Sequence, residues 1–503
     1  MAVKARTRGA ERLSAYILIA GIVLGAVLRF VALGAQSLWV DELLTIKNAH
    51  IGEPGVFSHI VHNLQGPAAS LLVHYVGALG KSEILLRLPF AVAGALCIPA
   101  IYLVARQFNE RWSSLHTTFL LALSPIYIWY SQEVRGYVFV VLFSVLATYF
   151  LIRWTRERRT LSLALYGACL FAGLVMNLSM AFVGMAHLVY LVIRHRQVRV
   201  LLWWGVAVCI VLVAFSPWIR DIMVRVQPQK IVVGETGPPL IGGSDFTMMA
   251  VPYTLFTFGV GYTLGPSPRD LQIDRRGALR RNLGLILLAA VGLAIPFIAG
   301  LNRAARTNRD LITLLLSWIA VPAVAVAVLA AGNIKLFNAR YMLVALPAFV
   351  MLLGIGAARL TRTRFAFLLA PLVVVLAVSI ANYYWNAHYA RDDLRAAAET
   401  IKQDYREDDV IAAVFTAEPL EFYLEGVAAV EVFGRNDISS PEAMRDRCRR
   451  LADGGGRVWL SLCREWQVDP DAVINTWFEA NLERVEAYSF TGVKLILYEH
   501  RGV

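Results

Sequence analysis

The stretch Gln36-Ser-Leu-Trp-Val-Asp41-Glu42-Leu-Leu-Thr45 follows the first long apolar run of the chain, residues 15–34. Adjacent carboxylates at the edge of a membrane span are costly to hold near lipid and seldom needed for packing. Placed there, they suit removal of a proton from a hydroxyl acceptor while a lipid-carried donor lies in the neighbouring bilayer. The stretch therefore points to an integral-membrane transferase.

Composition agrees with a membrane location. Hydrophobic residues make up 58% of the 503 positions and charged residues 17%, far from the balance of a water-soluble domain. Apolar runs long enough to cross about 30 Å of hydrocarbon predict about eleven transmembrane helices, near 15–34, 85–105, 113–130, 136–153, 161–176, 179–194, 200–218, 282–301, 311–331, 341–358 and 365–385. The first run is long and no small-residue cleavage pattern follows it, so it reads as a retained span rather than a signal peptide.

The net charge of +12 does not indicate nucleic acid, because the basic residues gather in short loops between apolar runs. Such clusters mark the cytoplasmic side. Lys4, Arg6, Arg8 and Arg12 form one; Arg153, Arg156, Arg158 and Arg159 form another. Arg194, Arg196 and Arg199, then Arg303, Arg306 and Arg309, then Arg359, Arg362 and Arg364 complete the set. All fall on one side if the chain crosses as predicted. That places the N-terminus in the cytoplasm of a cell whose plasma (inner) membrane the chain spans, and the C-terminal tail outside. The loop 219–281 departs from the rule, since it lies outside yet carries Arg269, Arg275, Arg276, Arg280 and Arg281. It reads as a solvated or headgroup-facing basic surface, or as an attractor of a lipid phosphate.

Two domains are expected: 1–385, a transmembrane region with outer-face loops 35–84 and 219–281, and 386–503, a small extracytoplasmic α/β domain. In the first loop, Phe57, Ile60, Val61 and Leu64 recur at helical spacing, predicting one or two short helices along the membrane face. Pro252 and several glycines break 246–264, which suits a lid or in-plane helix better than a span. In the tail, strands are predicted at Asp409–Phe415, Val427–Phe433 and Arg457–Leu462 and helices at Asp392–Tyr405, Glu418–Leu424 and Pro441–Ala452, an alternation typical of α/β modules. No Gly-rich phosphate fingerprint follows these strands. Cys448 and Cys463 lie in this tail, where a disulfide is open to them outside the cytoplasm.

Three outward loops bring polar residues to one membrane face: Asp41 and Glu42; Ser131-Gln-Glu133-Val-Arg135-Gly-Tyr137; and Lys335-Leu-Phe-Asn-Ala-Arg340-Tyr341. Sugar transfer from a lipid phosphate needs a base for the acceptor's proton, for which Asp41 is the candidate, with Glu42 beside it. Glu133 would orient the acceptor or hold a metal. The departing phosphate needs counter-charge, which the planar fork of arginine supplies well; Arg135, Lys335, Arg340 and Tyr341 are the candidates. Each has a plainer reading: Asp41 as a helix cap, Glu133 with Arg135 as an interfacial ion pair, Arg340 and Tyr341 as interface anchors. Arg87 reads as the anchor of the second span, and Arg29 reaches the interface by snorkelling. His50, His59, His62 and His74 concentrate in the first loop, but no Cys or carboxylate spacing completes a ligand set, so no metal site is predicted. A divalent cation is the one cofactor left open.

These motifs resemble those of the protein mannosyltransferase and aminoarabinose transferase group within the glycosyltransferase C superfamily. The resemblance covers most of 15–430. It is carried by Asp41-Glu42, by Ser82-Glu-Ile-Leu-Leu-Arg-Leu-Pro-Phe-Ala-Val-Ala-Gly94, by Ser124-Pro-Ile-Tyr through Tyr137, and by Ala339-Arg-Tyr-Met-Leu-Val-Ala-Leu-Pro347. It implies a multi-span enzyme taking sugar from a polyprenyl-phosphate carrier to an extracytoplasmic lipid, glycan or protein, with Asp41 as base or acceptor-positioning carboxylate and Glu133 as the acidic residue of the second loop. The chain departs from the group at Gln65-Gly-Pro-Ala68, where a His-Pro-Pro or Lys-Pro-Pro is common, and at Asn177-Leu-Ser179, where a His-Tyr pair is absent. A transporter of a polyprenyl-linked intermediate would instead place charged or broken helices at the midplane in two related halves. A non-catalytic scaffold leaves the three polar loops unexplained.

Overall fold

The computed structural model describes residues 2–53, 66–108, 110–219, 250–331, 338–415, 417–434, 436–454 and 456–500. They form two compact bodies. The first is built from the described residues within Met1–Leu33, Asn48–Gln229 and Ser244–Asn386; the second joins Gly34–Lys47 to the chain from Ala387 onward. The sequence pattern had placed 34–47 with the membrane region.

Among the described residues of the first body, seven helices are long and apolar enough to cross a membrane: Glu11–Phe30, Glu83–Phe108, Tyr137–Glu157, Leu283–Thr307, Arg309–Ala331, Ala339–Leu360 and Ala366–Trp385. Three other predicted spans are helices of 17, 15 and 17 residues: Thr160–Met176, Met180–Arg194 and Val198–Ala214. Predicted span 113–130 is broken into Arg111–Ala122 and Pro125–Ser131. Pro125 has no N–H to continue the helix, and it pushes Ser124 into an extended conformation. Of the stretch 246–264, expected as a lid or in-plane helix, the described residues include the helix Ala250–Val260. Residues Phe57 to Leu64, with His59 and His62, lie outside the described residues; of the first loop, Val40–Lys47 and Pro67–Gly77 are helical.

Helix Leu346–Leu360 runs through the centre of the bundle, with every residue from Leu346 to Ala358 buried. Its tight contact with Leu283–Thr307 depends on Gly300 and Gly356. A Cβ on Gly300 would fall on the Leu352 carbonyl, and one on Gly356 on the Pro296 carbonyl. Small residues that let backbones meet are a common means of helix association in membranes. The three shorter helices are joined by a buried polar network. His187 lies 3.0 Å from Thr148 Oγ1 and 3.3 Å from Tyr166 OH, and Trp204 Nε1 donates to the same phenol oxygen at 2.8 Å.

Arg29 does not snorkel. It is wholly buried, and its guanidinium donates to the carbonyls of Gly25 (2.7 Å), Ala122 (2.9 Å) and Leu121 (2.9 Å). Pro125 has no N–H to offer the Leu121 carbonyl, whose backbone partner is instead Ser124 N at 3.3 Å. Arg87, also buried, donates to the Leu33 carbonyl at 3.0 Å.

The second body holds a five-stranded sheet in the order β2-β1-β3-β5-β4, with β1 Val410–Val414, β2 Val430–Val432, β3 Val458–Cys463, β4 Glu483–Phe490 and β5 Val493–Glu499. β1 runs parallel to β2 and β3; β5 pairs antiparallel with β3 and with β4. Side chains alternate across the sheet. One face, through Ala412, Leu460 and Ile496, packs on Met444, Cys448 and Phe478; the other, through Ile411, Trp459 and Leu495, packs on Ala397, Ile401 and Leu420. Cys448 and Cys463 belong to opposite faces and are both free thiols, so the disulfide left open by the sequence is not formed. Burial pushes the Cys448 thiol up to about 12.

Candidate active site

Within the first body, the second and third polar loops converge. The helix Pro125–Ser131 carries Trp129 and Tyr130 and runs directly into Gln132 and Glu133; the 3-10 helix Ala339–Ala345 carries Arg340 as its second residue. Asn338 Oδ1 caps that turn by accepting from Arg340 N at 3.1 Å. Glu133 is wholly buried and accepts from Trp129 Nε1 at 3.1 Å. The hydroxyls of Tyr130 and Tyr262 lie 3.1 Å apart. Both phenols feel the negative charge of Glu133 and the positive charge of Arg340, so the two loops share one electrostatic neighbourhood. Burial keeps the Tyr262 hydroxyl protonated well above its usual range.

Aromatic rings line this neighbourhood. Trp129 meets Tyr262 edge to face (5.6 Å between centroids) and lies 5.8 Å from Tyr383, and Tyr130 meets Tyr137 at 5.5 Å. Arg340 sits over Tyr341 at 5.4 Å and Arg135 over Tyr137 at 5.9 Å, contacts that orient a guanidinium without neutralising it. Gln132 ties the loop to the end of the first helix: its amide donates to the carbonyls of Leu28, Arg29 and Val31 at 3.2, 3.1 and 2.9 Å and accepts from Tyr383 OH at 2.9 Å. A carboxylate, two guanidinium groups and phenol donors in such surroundings suit an anion held beside a polar, hydroxyl-bearing group. Trp129, Tyr130, Gln132, Tyr262 and Tyr383 were not among the sequence candidates. The run Tyr127-Ile-Trp-Tyr130 just ahead of Glu133 was the available signal for two of them.

Asp41 and Glu42 lie in the second body, on the helix Val40–Lys47. Its first turn closes on the Trp39 carbonyl, which accepts from Glu42 N at 2.9 Å and Leu43 N at 3.0 Å. Asp41 therefore sits inside the first turn rather than at the cap. Glu42 is wholly buried, paired with Arg391 at 2.7 Å, and reaches back to Trp39 N at 3.4 Å. It serves as a structural carboxylate, whereas Asp41 is half-buried. Further bonds fix this segment within its body: Ser37 Oγ donates to the Asp392 carbonyl (2.7 Å), Leu38 N to Tyr423 OH (2.8 Å), and Arg395 to the carbonyls of Gly34 and Ala35 (3.0 and 2.8 Å). Lys335 lies outside the described residues. His50 contacts Glu53 at 3.1 Å and His74 contacts the Ala49 carbonyl at 2.9 Å. No group of His, Cys, Asp and Glu suited to a metal occurs among the described residues.

This helical fold is shared with solved structures, and part of the sequence matches a family model. Residues 65–220 match the model of the family described as dolichyl-phosphate-mannose-protein mannosyltransferase. Among solved structures, the chain is similar to ArnT from Cupriavidus metallidurans in the apo state (TM-score 0.59, 13% identity, 97% of this chain and 98% of that one). It is similarly close to the same protein bound to undecaprenyl phosphate (TM-score 0.57, 12% identity, 95% and 97% covered). The oligosaccharyltransferase AglB from Archaeoglobus fulgidus, in complex with an inhibitory peptide and a dolichol-phosphate, aligns with a TM-score of 0.52 at 12% identity over 98% of this chain and 74% of that one. No curated protein matches the sequence. At such identities the likeness is one of fold.

Proposed function

We propose that this chain is an integral-membrane glycosyltransferase that moves a sugar from a polyprenyl-phosphate carrier to an extracytoplasmic acceptor. The observation that carries the reading is the convergence of Glu133 and Arg340, from separate loops, on the Tyr130–Tyr262 pair. Support comes from relatives of the same fold, two of which were solved with an isoprenoid phosphate bound.

In the proposed reaction the acceptor oxygen bonds to the anomeric carbon as the bond from that carbon to the phosphate oxygen breaks. The electron pair leaves with polyprenyl phosphate, and the acceptor's proton passes to the Asp41 carboxylate. Arg340 and Arg135, with Lys335 and the Tyr341 hydroxyl, hold the phosphate as its charge grows. Glu133 orients the acceptor or, if a divalent cation takes part, supplies a ligand to it. In this scheme the C-terminal body is extracytoplasmic and the N-terminus cytoplasmic.

The test is Asp41→Asn in membranes supplied with labelled polyprenyl-phosphate sugar. Transfer is expected to fall by a factor of about 10² or more, the effect of removing a general base. Unchanged transfer would eliminate this role for Asp41. Mass spectrometry of lipids that co-purify with the chain gives an independent reading of the donor, because a bound isoprenoid phosphate is expected.

A further inference from the structure

The helix Leu283–Thr307 begins with an uninterrupted apolar stretch, and its next charge is Arg303. Those 20 or so residues rise about 30 Å, the thickness of the hydrocarbon layer. Arg303 and Arg306 mark one edge of that layer. At the other edge the helix Arg275–Arg281 leads into the long one through the single residue Asn282, whose N–H bonds to the Ala278 carbonyl at 3.2 Å. The helical phase is nearly continuous across this junction. Leu279, Leu283 and Leu287, spaced four apart, are 42%, 54% and 56% exposed, a stripe suited to lipid.

Arg275, Arg276, Arg280 and Arg281 are all exposed on this extension. Arg280 lies about 5 Å beyond the start of the apolar stretch, by the rise of a helix, which is the level of phosphate groups. The nearby acids are engaged in the fold. Asp270 closes a capping box with Ser267, and Asp274 caps the short helix through Gly277 N at 2.9 Å and meets Arg281 at 3.4 Å. Exposed leucines running into a span, with arginines at headgroup height, describe an interfacial helix. The positive charge sits at the membrane face opposite Arg303 and Arg306, where orientation rules do not call for it.

We infer that the extension Arg275–Arg281 is a docking surface for the phosphate headgroups of anionic bilayer lipids. Each arginine near such a surface strengthens lipid retention about fivefold. The inference rests on the helix crossing a bilayer and stands apart from sugar transfer.

The full chain in nanodiscs of phosphatidylcholine with a minor fraction of phosphatidylglycerol provides the test, with native mass spectrometry reading the ratio of the two lipids retained. The double substitution Arg276→Gln with Arg280→Gln is expected to lower phosphatidylglycerol retention at least fivefold, and Arg276→Lys with Arg280→Lys to preserve it. Retention by the unsubstituted chain should also fall as salt rises, because exposed charges are screened within about 10 Å at 0.1 M. Equal ratios for the unsubstituted and glutamine chains would overturn the inference, as would retention that is indifferent to salt. Displacement of phosphatidylglycerol by one equivalent of polyprenyl phosphate would overturn it too, by making the surface a donor site.

Discussion

Glu42 and Arg391 meet as a buried ion pair at 2.7 Å although 349 residues separate them. The pair secures the helix that presents Asp41, and the Arg391 guanidinium also lies over the Trp39 ring at 5.8 Å. Removing one member of such a pair strands a charge, at a cost of about 3–5 kcal/mol; removing both costs much less. Arg391→Met is therefore expected to lower the thermal unfolding midpoint of the detergent-solubilised chain markedly. Adding Glu42→Gln to it should recover part of the loss. A double variant no more stable than Arg391→Met would refute this account of Glu42.

Arg340 separates charge from shape. Lysine retains the positive charge but loses the planar fork that can grip two phosphate oxygens. In the proposed reaction, Arg340→Lys is expected to keep a measurable rate with weakened donor affinity, and Arg340→Gln to lose about tenfold more in kcat/KM. Both are read in the labelled transfer assay. Equal rates for all three chains would remove Arg340 from the phosphate site.

Much of this architecture is written in local pattern. The three strands β1, β2 and β3 fall where short apolar segments alternate with helical ones, and Pro125 announces a break that an apolar count from 113 to 130 overrides. Of the two strands not predicted, β4 is an edge strand whose residues are largely exposed, whereas β5 is mostly buried and its run Leu495-Ile-Leu-Tyr498 is a strand signal in the sequence itself. The three shorter helices look like spans by composition alone, since hydropathy does not register length lost at Asn177 or near His195. Long-range chemistry is the least legible. Nothing local distinguishes Glu42 from Asp41, yet one carboxylate meets Arg391 and the other does not share that bond. Likewise Tyr262 and Tyr383 join Tyr130 and Trp129 only through the packing of Ala250–Val260 and Ala370–Trp385 against Pro125–Ser131.

Arg29 donates to the Leu121 carbonyl, to which Pro125 has no N–H to offer. Hydrogen bonds from a charged donor contribute about 1.5–3 kcal/mol each, and a buried C-terminal helix end attracts positive charge in addition. Arg29→Met should therefore destabilise the chain by at least that much, because the carbonyls of Leu121 and Ala122 lose their bonds from the guanidinium. Arg29→Lys should recover only one of the bonds and an intermediate melting temperature. The measurement is thermal unfolding in detergent. If methionine melts no lower than arginine, the break is being held by other contacts.

Arg457 ties together two acidic side chains of the second body, Asp404 and Asp409. Arg457 donates to Asp409 from Nε at 3.0 Å and Nη2 at 2.8 Å, and to Asp404 Oδ2 at 2.6 Å; Trp459 Nε1 adds a bond to Asp409 at 3.0 Å. Burial alone would raise the Asp409 carboxyl, but the bonds from Arg457, Arg406 N and Trp459 outweigh it and hold the group below its usual range. A carboxyl with a lower value folded than unfolded adds stability above its unfolded value, near pH 4, and that stability is lost as pH falls through the folded value. Protection of the β1 and β3 amides, taken relative to their intrinsic exchange rate at each pH, is therefore expected to fall on acidification below about pH 4. In Asp409→Asn this acid-dependent loss of protection should be reduced, since asparagine does not titrate, while protection at neutral pH is lower because the ion pair with Arg457 is gone. An acid response in Asp409→Asn as large as in the unsubstituted chain would assign the acid sensitivity to another carboxylate.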